Sequence, residues 1–265
     1  MTSLVVMVAG MSSRFGGNPK QMAIVGPNNE TLIEYSVNQA IKNAFDRIIF
    51  ITNSKTEKLF VDIFQDKYKD IPVIYIQQSY DEQRIRPWGT GDAVASLFPI
   101  AKKTKSSKYI IINGDDIYGE DTFYNGFNLL CESSSNIIAG LLVSDTLPEE
   151  GNVNRGIITI DGDNVVHLEE RLNISKKKNP ELLDKLSNVN FLGLQLEALE
   201  HLYILNDKFK TENKDDEKIE SLLTDHLNNL VYRNLINLKY FYIRNKILGI
   251  TNPGDELKLK DILSN

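Results

Sequence analysis

Two polar segments of the chain carry residue types that handle phosphate groups, and the first begins at position 9. The apolar residues 4–8 are followed by the small residues Ala9 and Gly10 and then by two cations, Arg14 and Lys20. A loop of small residues exposes backbone N–H groups that converge on an anion, and Arg and Lys add full positive charges. The segment therefore predicts a phosphate-binding loop; an ordinary strand–loop–helix connection is the alternative.

The second segment is acidic: Asn113, Gly114, Asp115 and Asp116 follow the apolar residues 109–112. Carboxylates at the end of a parallel strand suit Mg²⁺, which takes oxygen ligands and keeps several waters beside substrate phosphates. A basic loop and an acidic metal site in one crevice serve nucleotide chemistry, because the cation screens the phosphates while Arg and Lys stabilise charge that develops in the transition state. The alternative is a solvated Asp-Asp turn.

A third segment, residues 86–93, has the composition of a surface that receives a flat ring. Gly89 lets a base or sugar edge approach the backbone, and Thr90 occupies the position of a helix N-cap. Gln77 and Gln78, a little earlier, offer amides that pair with the donor and acceptor edge of a nucleobase. Taken alone, the segment is better explained by a Pro-Trp-Gly turn that begins a helix.

These segments need a scaffold that brings strand ends together, and the first half of the chain predicts one. Short apolar runs alternate with helical patterns, which is typical of a parallel sheet covered on both faces. Thr31 and Glu34 predict a capping box at the start of the first helix. Ligands bind such sheets beyond the carboxyl ends of the strands, where all three polar segments lie. Strands are predicted at residues 4–8, 47–52, 73–76 and 109–113, and helices at residues 31–44, around 59–64 and at 90–100.

The second half of the chain predicts further strands and a final helix after Pro253-Gly254. Two polar stretches, residues 173–179 and 206–217, are rich in Lys, Asp and Asn and are predicted to be solvated insertions. The strands are predicted at residues 137–144, 156–160, 165–168, 191–195 and 240–244.

The composition excludes several classes of protein. A chain of 265 residues with 42% hydrophobic residues can bury a full core. The net charge of -6 argues against a general nucleic-acid or anionic-membrane surface, and no apolar run reaches the roughly 18 residues of a membrane span. The single cysteine, Cys131, excludes an intrachain disulfide and a Cys-based zinc site. We therefore expect a cytoplasmic protein that uses a local basic cluster for phosphate chemistry.

In their order and spacing, the segments resemble the signature of the sugar-1-phosphate nucleotidyltransferases, or nucleoside-diphosphate-sugar pyrophosphorylases. That signature runs from a strand through Ala-Gly-x-x-x-Arg, a Pro-Lys pair and a Gln before Gly-Thr-x-x-Ala to Gly-Asp after a strand. Later segments resemble the family's sugar-side glycine strand, its Glu-Lys pair and its sugar-contacting Asn segment. The matching residues are Ala9-Gly10 with Arg14, Pro19-Lys20, Gln77, Gly89-Thr90 with Ala93, Gly114-Asp115, Asn154-Arg155-Gly156-Ile157, Glu169-Glu170-Arg171 and Asn190-Phe191-Leu192-Gly193.

The resemblance implies an α/β nucleotide-diphospho-sugar transferase fold, which is Rossmann-like and three-layered with a mixed central sheet. It implies one domain over residues 1–265, with a nucleotide-binding half (1–130), a sugar-binding half (131–250) and a C-terminal helix (251–265). The implied cofactor is Mg²⁺, and the implied substrates are a nucleoside triphosphate and a sugar-1-phosphate. The oligomeric state stays open, although the family is often oligomeric.

The resemblance also carries a role to each matching residue. Arg14 would stabilise the leaving β- and γ-phosphates, Lys20 the α-phosphate or sugar phosphate, and Asp115 would hold Mg²⁺. The remaining contacts would be Ala9, Gly10 and Met11 for the nucleotide, Gln77, Gly89 and Thr90 for the base, and Gly156, Glu170 and Asn190 for the sugar.

One departure from the family pattern concerns the metal. The family's second metal ligand is an Asp or Asn near the C-terminus, and Thr251 occupies that position here. Asn252 or Asp255 would then substitute, or metal binding would be weaker on that side.

The implied reaction is in-line attack by a sugar-1-phosphate oxygen on the α-phosphorus of the triphosphate, which expels pyrophosphate without a covalent enzyme intermediate. UTP and N-acetylglucosamine-1-phosphate or glucose-1-phosphate are the preferred substrates, because Gln77 with backbone contacts suits a pyrimidine.

Two alternatives stay open at this point. A cytidylyltransferase acting on a phospho-alcohol such as phosphocholine shares the fold, and a catalytically inactive nucleotide-sugar sensor would explain Thr251. A Rossmann dehydrogenase is disfavoured, because the first loop is not Gly-x-Gly-x-x-Gly and no acidic residue follows the second strand at Thr52-Asn53.

Overall fold

The computed structural model of the chain describes residues 1–10, 19–78, 80–81, 84–250 and 254–264. The strands within these residues are β1 (Thr2–Met7), β2 (Arg47–Thr52), β3 (Lys67–Tyr68), β4 (Ile71–Gln77), β5 (Lys108–Asn113), β6 (Asp116–Ile117), β7 (Asn136–Leu142), β8 (Val153–Asp161), β9 (Asn164–Ile174), β10 (Leu186–Gln195), β11 (Leu238–Tyr242) and β12 (Leu248–Gly249). The helices are α1 (Leu32–Ala40), α2 (Glu57–Phe64), α3 (Thr90–Ala95), α4 (Phe98–Ala101), α5 (Glu120–Glu132), α6 (Val143–Thr146), α7 (Leu196–Glu212), α8 (Leu223–Tyr232) and α9 (Asp255–Ser264).

One mixed sheet runs through both halves of the chain, in the order β3-β4-β2-β1-β5-β10-β7-β11-β9-β8. The neighbours β4, β2, β1 and β5 are parallel, so their carboxyl ends share one edge. The next strand, β10, runs antiparallel to β5 and to β7 and joins the second half of the chain to this parallel core. The predicted mixed central sheet is confirmed.

Alternate residues of the central strands pack on opposite faces, as the two-residue period of a strand requires. Val5 faces a core that contains the apolar sides of α3, α4, α7 and α8. Its neighbours Leu4 and Val6 face a second core, built with α1, α2 and α5. Helices thus cover both faces of the sheet, which confirms the predicted three-layer arrangement.

Local sequence signals explain where several helices begin and end. The capping box is present, because Thr31 Oγ1 accepts from Glu34 N while Glu34 Oε2 accepts from Thr31 N. The helix predicted at residues 90–100 is instead two short helices, α3 and α4. Pro99 lies in the first turn of α4, where the N–H that proline lacks has no partner within the helix. Inside one continuous helix over residues 90–100, the same proline would remove a hydrogen bond and break the helix.

The prediction of a solvated insertion at residues 206–217 is wrong in its first part. Helix α7 extends to Glu212, and the side chain of Asn206 is buried. Ala198, Leu199 and Leu202 give α7 an apolar face at helical spacing. Polar residues are frequent in 206–212, and the sequence therefore predicts a solvated stretch there. The residues that contact the buried Asn206 are distant from it in sequence. None of the described helices is both long and apolar enough to cross a membrane.

Candidate active site

The loops that follow β1 and β5 meet at the shared edge of the sheet. Gly114 N donates to Met7 O over 3.0 Å, and Asn53 Nδ2 donates to Ala9 O over 2.9 Å. A Cβ on Gly114 would collide with the side chain of Val8, so glycine lets the acidic loop, residues 113–116, lie against β1. At Gly10 no atom of the described residues lies within 4 Å of a Cβ.

Lys20 and Asp115 form an ion pair at this edge, with about a quarter or less of each side chain exposed. Lys20 Nζ also donates to Ile250 O over 2.8 Å. The C-terminal segment is held against the acidic loop by the antiparallel pairing of Gly249 with Asp116. Three segments far apart in sequence therefore converge on one carboxylate.

The two aspartates of the acidic loop have different environments. Asp116 Oδ2 accepts from Asn113 Nδ2 over 2.9 Å. Burial and the neighbouring charge of Asp115 raise the pKa of Asp116 to about 7. Asp115 instead pairs with Lys20, so it is the carboxylate of this loop that lies against a cation in the crevice.

The donor set fits Mg²⁺ that takes most of its ligands from substrate and water. Among the described residues, no three His, Cys, Asp or Glu side chains come together as a metal cage. A single carboxylate beside a phosphate site is nevertheless how Mg²⁺ is often held. Thr251 and Asn252 lie outside the described residues, although Ile250 adjoins Asp115. Asp255 opens α9, with Oδ1 3.8 Å from Lys258 Nζ.

At the predicted base contacts, called here the base side, the two neighbouring glutamines differ in burial. Gln77 is exposed and its Nε2 donates to Glu57 Oε1 over 3.0 Å. Gln78 is buried, and its Nε2 donates to Gly89 O over 2.9 Å. The role of Gln77 as a base contact stays a prediction. Gln78 positions the backbone at Gly89.

The predicted N-cap at Thr90 is wrong by one residue, because Gly89 caps α3. Gly89 has φ +96°, a conformation that a side chain disfavours. Thr90 is the first residue of the helix, and its Oγ1 accepts from Leu223 N over 3.1 Å. The hydroxyl therefore ties α3 to α8 rather than capping its own helix.

At the predicted sugar contacts, called here the acceptor side, Gly156 of β8 lies opposite Glu170 of β9. A Cβ on Gly156 would lie 3.1 Å from Thr224 Oγ1, so the strand packs closely on the start of α8. Burial raises the pKa of Glu170, and a hydrogen bond with the Thr224 side chain opposes that rise. Gly156 and Glu170 are thus brought together beside one turn of α8.

Asn190, the third predicted sugar contact, lies in an irregular part of β10 between Asn188 and Leu192. Its φ is +56°, and Asn188 Oδ1 accepts from Asn190 N over 2.8 Å. The left-handed conformation is one that Asn tolerates, and it turns this residue out of the regular alternation of the strand.

Comparison with known proteins decides the family. The model of the nucleotidyl transferase family matches residues 5–231. The chain belongs to this family. None of the curated proteins searched matches the chain.

Solved structures with the same fold cover nearly the whole of this nucleotidyl transferase. A Bacillus anthracis protein assigned as a glucose-1-phosphate thymidylyltransferase has a TM-score of 0.74 at 13% identity, covering 100% of this chain and 96% of that one. A UTP-bound UGPase from Acinetobacter baumannii has a TM-score of 0.67 at 18% identity, covering 99% and 93%. The inositol-1-phosphate CTP transferase from T. maritima has a TM-score of 0.67 at 15% identity, covering 99% and 94%. The predicted nucleotide-diphospho-sugar transferase fold is confirmed.

Two further predicted site residues of this nucleotidyl transferase lie outside the described part of the chain. Arg14 and Met11 belong to residues 11–18. Their roles stay predictions.

Sequence reasoning assigned no role to Tyr118, which connects the acidic loop to the acceptor side. The Tyr118 hydroxyl accepts from Asn113 N over 3.2 Å and donates to Val189 O over 3.0 Å, next to Asn190. Its position after an Asp-Asp pair gave no sign of this, since a tyrosine in an apolar run reads as core.

Arg155 was noted only as part of a matching motif, and the structure gives it a location. Its guanidinium donates to Thr146 O over 2.7 Å and to Asn154 O over 2.9 Å. Burial lowers the pKa of Arg155, while the charges of Asp116 and Glu170 oppose that change. Arg155 is therefore a cation between the acidic loop and the acceptor side.

We expect Gly89→Ala to destabilise this nucleotidyl transferase by about 3 kcal/mol, because the residue would be strained at positive φ and its Cβ would lie 2.8 Å from Ser221 O. Gly162→Ala is the matched control: Gly162 also has positive φ, at +58°, but no atom of the described residues lies within 4 Å of a Cβ there. Strain alone should cost the control about 1 kcal/mol. Urea unfolding of both variants measures the difference, and equal losses would contradict the packing argument.

Proposed function

We propose that this nucleotidyl transferase moves a nucleotidyl group from a nucleoside triphosphate to a sugar-1-phosphate, giving a nucleoside-diphosphate-sugar and pyrophosphate. The observation that carries the proposal is the Lys20–Asp115 pair. It places one cation and one carboxylate at the edge where the loops after two parallel strands and the C-terminal segment converge.

The bond changes define what the site must do. An oxygen of the sugar-1-phosphate forms a bond to the α-phosphorus, the bond from that phosphorus to the bridging oxygen of the β-phosphate breaks, and pyrophosphate leaves with the electron pair. Both reactants are anions, so alignment and neutralisation of charge supply most of the catalysis.

The chain's cations are assigned to these charges. Lys20 would bind the α-phosphate or the sugar phosphate, since its Nζ already holds a carboxylate oxygen in the crevice. Arg14 would stabilise the charge on the leaving pyrophosphate. Ala9, Gly10 and Met11 would offer backbone N–H groups to the nucleotide, since small residues leave the backbone of such a loop accessible to an anion.

Asp115 is the residue that would hold Mg²⁺, together with water and phosphate oxygens. When bound, the ion neutralises charge on the triphosphate. Lys20 would give up its ion pair with Asp115 in that state and be free to donate to phosphate.

Gly156, Glu170 and Asn190 would form the acceptor side. The Glu170 carboxylate would accept hydrogen bonds from sugar hydroxyls, and Gly156 lets β8 pack closely on Thr224 beside it. Arg155, whose guanidinium donates to the backbone oxygens of Asn154 and Thr146, would add a cation for the acceptor phosphate.

UTP is the preferred nucleotide, with glucose-1-phosphate or N-acetylglucosamine-1-phosphate as the acceptor. An exposed Gln77 with backbone contacts suits a pyrimidine. The relatives named above are described with UTP, CTP and thymidylyl transfer, so a cytidylyltransferase acting on a phospho-alcohol such as phosphocholine is the second candidate.

The test is pyrophosphate release with Mg²⁺, from the four common nucleoside triphosphates crossed with a panel of sugar-1-phosphates and phosphocholine. Release with UTP and a sugar-1-phosphate alone supports the proposal, and release with CTP and phosphocholine alone supports the second candidate. No release from any pair, with nucleotide-sugar binding retained, would show an inactive sensor and contradict both.

A further inference from the structure

A buried hydrogen-bond chain lies behind the base-side segment, residues 88–92, and the proposed chemistry does not use it. It joins Asp92, Asn206, Ser221 and His226, each less than a tenth exposed. Asn206 Nδ2 lies 2.9 Å from Asp92 Oδ1. Ser221 Oγ lies 2.8 Å from Asn206 Oδ1 and 2.6 Å from His226 Nε2. A buried polar chain is costly unless each member is satisfied, and a satisfied chain specifies one arrangement.

The chemistry of the groups fixes the direction of each hydrogen bond. Asn206 turns its amide nitrogen to Asp92, so its carbonyl oxygen, which can only accept, faces Ser221. The one hydroxyl proton of Ser221 therefore goes to Asn206, and the hydroxyl oxygen accepts from His226 Nε2–H. Burial lowers the pKa of His226, so the ring is neutral near pH 7, with its proton on Nε2.

The Asp92 end of the chain is a carboxylate that accepts hydrogen bonds from residues of the base side. It accepts from Lys210 Nζ over 2.9 Å and from Gln78 Nε2 over 3.0 Å. The same Gln78 nitrogen donates to Gly89 O, the cap residue of α3. The chain thus reaches the backbone that is proposed to receive the base.

Ser221 makes a second connection through its own backbone. Ser221 N donates to Trp88 O over 2.5 Å, and Gly91 N donates to Ser221 O over 2.8 Å. A Cβ on Gly91 would lie 2.6 Å from Ser221 Oγ and 2.8 Å from His226 Cδ2. The base-side segment is therefore packed directly on Ser221 and His226.

The other end of the chain leads to the acceptor side. Helix α8 begins two residues after Ser221 and contains His226. Its second residue, Thr224, is hydrogen-bonded to Glu170 and packs on Gly156. Farther along, Asn228 Oδ1 accepts from Leu168 N of β9 over 2.9 Å.

We propose that Ser221 and His226 are positioning residues that fix the base-side segment and the first turn of α8 in one arrangement, so that a bound nucleotide raises the affinity for the acceptor. The inference rests on the proposed function, because it assigns Gly89 to the nucleotide and Glu170 to the acceptor. A displacement of either surface must break or reorient the hydrogen bonds of Ser221, which gives the two sites a shared energetic term.

The experiment uses the substrate pair that releases pyrophosphate, with the triphosphate replaced by its α,β-methylene analogue, whose bridging carbon cannot leave. Calorimetry measures the acceptor dissociation constant with and without this analogue. We expect the analogue to tighten acceptor binding by about 5- to 100-fold in the wild type. Ser221→Ala and His226→Phe should bring this ratio close to 1, since each removes a donor or acceptor from the chain.

Two further variants separate positioning from stability. His226→Gln keeps an N–H near the position of Nε2 and should retain most of the coupling, whereas His226→Phe keeps the ring packing on Phe209 and loses the donor. Leu227→Val removes a buried methylene from α8 without touching the chain, so it lowers stability and leaves the ratio unchanged. A merely structural role would make the ratio follow the melting temperature in all variants.

An independent measurement checks the wild type directly. The whole protein has three histidines, so ¹⁵N NMR can assign the His226 ring. We expect the Nε2–H tautomer. The Nδ1–H tautomer would overturn the hydrogen-bond directions. Coupling that persists in both Ser221→Ala and His226→Phe overturns the inference alone, while failure of the wild type to bind the nucleotide overturns the proposed function as well.

Discussion

Replacing Asp115 with Asn lowers kcat for pyrophosphate release by about 100- to 1,000-fold. Asn keeps the shape of the side chain but removes the charge that would hold the cation on the triphosphate. We expect the free energy of unfolding to change by less than about 1 kcal/mol, because a partly exposed ion pair contributes little. The charge of Asp115 raises the pKa of Asp116. Removing that charge therefore also relieves the repulsion between the two carboxylates.

The control for this variant is Asp62→Asn, which neutralises an exposed carboxylate on α2. It should turn over like the wild type at equal Mg²⁺. Near-normal turnover by Asp115→Asn, measured with the same coupled pyrophosphate assay, would remove Asp115 from the mechanism. Carboxyl NMR gives a structural check, since the pKa of Asp116 should fall below about 7 in this variant.

Replacing Lys20 with Met lowers kcat by a similar factor, about 100-fold or more, while the fold is retained. The ammonium group forms the ion pair with Asp115 in the crevice, and its loss removes one of the positive charges assigned to the reacting phosphates. The positive charge of Lys20 lowers the pKa of Asp116, so this variant should raise that pKa above about 7, opposite to Asp115→Asn. Opposite shifts in the pKa of Asp116, together with similar losses of turnover in the two variants, would indicate that Lys20 and Asp115 act as a pair.

Lys42→Met is the matched control, because Lys42 forms an ion pair with Glu120 in which both side chains are more than half exposed. This variant also breaks a Lys–carboxylate ion pair, but one that is far more exposed than the Lys20–Asp115 pair. It should leave kcat unchanged. A loss of turnover in Lys42→Met equal to that in Lys20→Met would attribute the effect to general charge rather than to the crevice.

Local signals in the sequence predicted most of the parallel core. The strand at Arg47–Thr52 has the predicted bounds, since a continuous apolar run with β-branched residues is typical of a strand buried on both faces. Thr31 and Glu34 form the capping box that their three-residue spacing indicates. Because carboxyl ends of parallel strands share an edge, the sequence also brought Lys20 and Asp115 to one place.

Most of the contacts that sequence reasoning missed join residues far apart in the chain. Asn206 reads as a solvated residue because its neighbours are polar, and only its pairing with Asp92 and Ser221 shows why it is buried. Gln78 differs from Gln77 only by which face of the strand end it occupies. Tyr118 looks like any core tyrosine until Asn113 and Val189 are placed on either side of its hydroxyl.

The most direct test of the central claim follows the label of a triphosphate that carries ³²P at the α position. With Mg²⁺ and an accepted sugar-1-phosphate, we expect the label in a nucleoside-diphosphate-sugar and the two unlabelled phosphates released together as pyrophosphate. Release of orthophosphate, with the label left in a nucleoside diphosphate, would place the reaction at the γ-phosphorus and contradict the account.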